Sequence, residues 1–125
     1  MFGWLRRSTG RVSDPDALRN EGLALAMDWG EDWLAPIQPR LRERYPRLTT
    51  AELDALDATC RGAMKLGHET VHALVRTHGK SLALPVFAER FVAEVPWASA
   101  ANVARLFDQG LYYAWKTGGP AGPAT

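Results

Sequence analysis

Apolar residues recur along most of this chain at intervals of three and four, the spacing of one helix face, and no segment alternates at the two-residue period of a strand. The longest helical stretch is Thr49 to Gly79. At about 100° per residue, Leu53, Leu56, Cys60, Ala63, Met64, Gly67, Val71, Leu74 and Val75 share one face, and His78 falls in the middle of that stripe. Thr49 and Glu52 stand at the spacing of a capping box, and Gly79 suits the left-handed position that closes a helix. Gly67 lies on the apolar stripe, where a neighbouring helix could approach closely. Gly62 has no such role and carries the usual helix penalty of about 1 kcal/mol relative to alanine.

Four further segments follow the same logic. A first helix starts at a Ser13 or Asp14 cap with Pro15 in its first turn, and runs to about Trp29, before Gly30. Leu18, Gly22, Leu25 and Trp29 form one stripe, while Leu23 and Met27 look the other way, so two sides need covering. Glu31 to Tyr45 is a proline-interrupted helix, regular from near Pro36, with Trp33, Ile37, Leu41 and Tyr45 inward. Pro85 opens a helix to about Val95, with Leu84, Phe87, Ala88, Phe91 and Val95 as its stripe. Ser99 caps the last helix, which runs to about Lys116 with Val103, Leu106, Phe107, Gly110 and Ala114 toward the core. The expected fold is all-α: a compact antiparallel bundle of four to five helices around one long central helix. Residues 1–12 read as a flexible arm, 13–117 as a single helical domain and 118–125 as a flexible tail.

Composition narrows the class. With 125 residues, 46% of them hydrophobic, the chain can bury a real core. A net charge of +1 gives no overall pull toward nucleic acid. No apolar run is long enough for stable membrane insertion. The order of residues in Met1–Arg7, apolar before arginine, does not read as a secretory signal. The single cysteine, Cys60, lies on the apolar stripe and fits a reducing compartment, so the expected location is cytoplasmic.

One segment names a chemistry. His68-Glu69-Thr70-Val71-His72 matches H-E-x-x-H, in which two histidines one turn apart hold zinc and the glutamate activates the bound water. The run from His68 to His78 resembles the longer string of the metzincins, which implies a third histidine ligand at His78. Val75 stands where that family has its turning glycine, so the helix continues. His78 is then about 15 Å further along the axis than His68 and rotated by about 80°. A third ligand from the following helix is the better alternative, with Glu94 facing better than Glu89. The alternative function is therefore a zinc-dependent hydrolase with His68, His72 and Glu94 as ligands and Glu69 as base.

Two other groups complete the candidates. Arg40, Arg42, Arg44 and Arg47 gather near the end of the second helix, where cations complement the helix dipole. Leu111, Tyr112 and Trp115 project from the outer side of the last helix, and Trp4 of the arm can join them in a partner-binding surface. The leading expectation is a small cytoplasmic helical domain acting by protein–protein interaction or self-association as a homo-oligomer. It requires no cofactor and no nucleic acid.

Overall fold

The computed structural model describes residues 14–28 and 35–116. The chain is all-α, with five helices and no strand among the described residues: α1 (Pro15–Ala26), α2 (Gln38–Arg44), α3 (Thr50–His78), α4 (Leu84–Glu94) and α5 (Ala100–Lys116). It divides into two compact units, Met1–Arg61 and Gly62–Thr125, and the long α3 passes from one to the other.

Local chemistry sets the helix ends. The Asp14 carboxylate accepts from the backbone N–H groups of Asp16 and Ala17, both at 3.1 Å, and Pro15 takes the first position of α1. At the start of α3 the capping box closes in both directions. Thr49 N–H donates to Glu52 Oε1 at 2.8 Å, and Glu52 N–H donates to Thr49 Oγ1 at 3.1 Å. Gly79 ends α3 with φ of +57°, a left-handed conformation that glycine adopts without a Cβ penalty. Ser99 Oγ accepts from Asn102 N–H at 3.2 Å and caps α5.

The first unit folds α1, α2 and the first turns of α3 together. Arg40 pairs with Asp28 and Arg44 with Glu21, so α1 and α2 run in opposite directions. Gln38 meets Asp54 and Arg42 meets Thr50, so α2 and α3 do likewise. Both sides of α1 are covered: Leu18, Gly22 and Leu25 are buried, as are Leu23, Ala26 and Met27. Gly22 sits where a Cβ would come within 2.7 Å of Cys60 Sγ, so the missing side chain lets α1 approach α3. The helix stops at Ala26, earlier than the apolar spacing suggests, and Trp29 lies outside the described residues. Regular structure in α2 begins only at Gln38, which leaves Pro36 ahead of the helix and Pro39 in its first turn, where backbone donors have no helical partner to lose. Ile37 and Leu41 are buried there and Tyr45 is half-buried; Trp33 is outside the described residues.

The second unit packs the rest of α3 against α4 and α5. A Cβ on Gly67 would meet the Leu106 methyls at 3.0 and 3.1 Å, and one on Gly110 would meet Val71 Cγ2 at 2.7 Å. These two pairings ascend together, so α5 runs parallel to α3 and α4 is the returning helix. Phe87 and Phe91 of α4 stack at 5.3 Å between ring centroids, and Phe87 also meets Phe107 at 5.7 Å. Two expected core residues lie outside the core. His78 is exposed at the last turn of α3. Leu84, the first residue of α4, is 36% exposed.

Among the described residues, no atom of a neighbouring element lies within 4 Å of a Cβ built on Gly62. Gly62→Ala is therefore expected to stabilise the protein by about 1 kcal/mol, through helix propensity alone. Chemical denaturation measures it; a destabilised variant would mean that the open space around this position is needed.

Candidate functional site

The last helix has two different sides. Asn102, Val103, Leu106, Phe107, Gln109, Gly110 and Ala114 are buried, a broad inner arc. On the outer side Tyr112 is 49% exposed, Leu111 and Trp115 are half-buried along its margins, and Asp108 and Lys116 are exposed. Tyr112 lies edge-on to Tyr113, with ring centroids 5.3 Å apart, and Lys116 Nζ stands 5.3 Å from the Tyr112 centroid. Of the expected partner surface, the structure thus brings Leu111, Tyr112 and Trp115 to one end of α5. Trp4 lies outside the described residues.

The two histidines of the H-E-x-x-H segment lie one turn apart on α3. His68 is half-buried, and its Nε2 lies 2.8 Å from Gln109 Oε1. Its ring sits 5.4 Å from that of Tyr113. Burial pushes the imidazole below its usual value, against the opposing effect of the Gln109 hydrogen bond. His72, one turn along, is half-buried, while Glu69, Glu89 and Glu94 are exposed. Among the described residues no three His, Cys, Asp or Glu side chains gather as a metal-holding group, so Glu94 does not join His68 and His72. The helical spacing that suggested a chelating pair is present, but the nitrogen of His68 facing α5 is occupied by an amide.

Among the described residues, Gln109, only 3% exposed, and Asn102, 6% exposed, are the buried polar residues that sequence reasoning missed. They stand two turns apart beside Leu106 and Gly110, on the edge of the α5 stripe nearest α3. A glutamine at that edge, matched by a histidine on the flank of the α3 stripe, is the signal from which the pair could have been found.

The remaining polar groups build the first unit. The Cys60 thiol donates to the Arg19 carbonyl at 3.3 Å, and burial, followed by the nearby Asp57, pushes it up to about 12. It is a packing residue, since the thiolate needed for nucleophilic chemistry is suppressed. The Glu21 carboxylate accepts from both Arg44 and the Tyr45 hydroxyl, and burial with that bond pushes Tyr45 up to about 12. Arg40 donates to Asp28 at 3.0 Å and to the Leu25 carbonyl at 3.2 Å. The arginines thus tie α2 to α1 in addition to complementing its dipole. No described helix is long and apolar enough to cross a membrane. Compared with known protein families, curated proteins and solved structures, the chain matches none.

Proposed function

We propose that this chain acts by protein–protein interaction, through the outer side of the C-terminal half of α5. The observation that carries the reading is Tyr112, 49% exposed, more than any other large hydrophobic side chain among the described residues. Leu111 and Trp115 lie beside it, and an aromatic cluster with polar margins is the composition of an interface anchor. The near-balanced charge favours a protein over nucleic acid as partner. The single cysteine favours a reducing, cytoplasmic setting. Zinc-dependent hydrolysis has weaker support, because only two of its proposed ligands share a face and one of them is hydrogen-bonded to Gln109.

Tyr112→Ala combined with Trp115→Ala is expected to weaken association by at least about 2 kcal/mol, as for truncated aromatic anchors. Sedimentation measures the association, and circular dichroism checks that the helices persist. A well-folded double variant that associates as tightly as the parent contradicts the reading.

A further inference from the structure

The outer side of α5 has a symmetry that the inner side lacks. Ala101, Arg105, Asp108, Tyr112 and Trp115 follow one another along it at alternating steps of four and three. That spacing lines all five along one side of the helix. Each is exposed or half-buried, and the line runs opposite buried Val103, Phe107, Gly110 and Ala114. In order they read small, cation, anion, aromatic, aromatic. Turned end for end about the midpoint of Arg105 and Asp108, the four from Ala101 to Tyr112 meet their own complement. Arg105 then faces Asp108 of an identical helix, Ala101 faces Tyr112, and Trp115 extends the contact past the other helix's Ala101.

This is what an isologous contact requires, since each residue must suit the one that its symmetry mate presents. Two ion pairs flank the two-fold axis, and each Tyr112 ring faces an Ala101 that leaves it room. Parallel pairing would instead set Arg105 beside Arg105 and Tyr112 beside Tyr112. A different protein would impose no such symmetry on the series.

We infer that a second copy of this chain docks on this face, with the two α5 helices antiparallel. The inference rests on the partner-surface reading above and names the partner. Arg105 and Asp108 set the direction of pairing, and Tyr112 with Trp115 supply the apolar contact.

Sedimentation equilibrium on the full chain at low salt tests it. The parent protein dimerises. Arg105→Glu and Asp108→Arg each place like charges face to face, and each weakens dimerisation by at least about tenfold. An equimolar mixture of the two single variants recovers dimers. In the mixed dimer the introduced glutamate of one chain meets the introduced arginine of the other, while the native Asp108 and Arg105 still meet each other. A misfolded variant could not rescue its counterpart, so recovery reports pairing and not stability. If the single variants dissociate and their mixture does not recover, antiparallel pairing is overturned while association through α5 stands. If the parent stays monomeric at its highest soluble concentration, the second copy is overturned, and the aromatic face remains for a different protein to bind.

Discussion

Val71→Asp is expected to destabilise the protein by about 4 kcal/mol. Val71 is fully buried on α3, and its Cγ2 would lie 2.7 Å from a Cβ on Gly110, so α5 backbone sits directly against it. A carboxylate there is held out of water. It must either remain charged in an apolar setting or take up a proton, and both routes cost several kcal/mol. Chemical denaturation at neutral pH gives the value. A loss under about 1 kcal/mol would place Val71 at the surface and contradict the packing of α3 on α5.

Phe87→Ala is expected to cost about 3–5 kcal/mol. Phe87 is fully buried, stacked on Phe91 with the rings 13° from parallel, and in contact with Phe107 of α5. Removing the ring deletes both aromatic contacts and leaves a cavity between α4 and α5. Phe87→Leu should recover about half of the loss, because it restores most of the volume without the ring geometry. Thermal and denaturant unfolding of the two variants measure both values. Equal and small losses would mean that α4 contributes little to the second unit.

The helices and their punctuation were legible because they depend on local rules. Thr49, Glu52, Gly79, Pro85 and Ser99 each act where backbone chemistry requires them. The inner side of α5 was equally legible, since five apolar or small residues at helical spacing leave one way to face the core. What was hidden depends on where a stripe stops being covered. His78 and Leu84 continue their apolar faces in sequence, yet both are exposed where they stand, at the end of α3 and the start of α4. Gln109 was hidden for the opposite reason. A polar residue enters the interior only with a partner, and that partner, His68, is forty-one positions away and drew attention for its spacing to His72.

The candidate surface was legible only as one side of a helix. Spacing alone places Leu111, Tyr112 and Trp115 away from the core, but it does not say how much of each remains exposed. Tyr112 is largely exposed, whereas Leu111 and Trp115 lie along the margin between core and solvent. Tyr112 is therefore the residue whose environment should change most when a partner arrives.

Hydroxyl-radical footprinting of Tyr112 over a concentration series tests that claim most directly. Tyr45, whose hydroxyl is bonded to Glu21 within the first unit, serves as the internal reference. Tyr112 is expected to become protected as the associated species forms, with Trp115 following and Tyr45 unchanged. An associated species in which Tyr112 reacts as fast as in the dilute protein would contradict it.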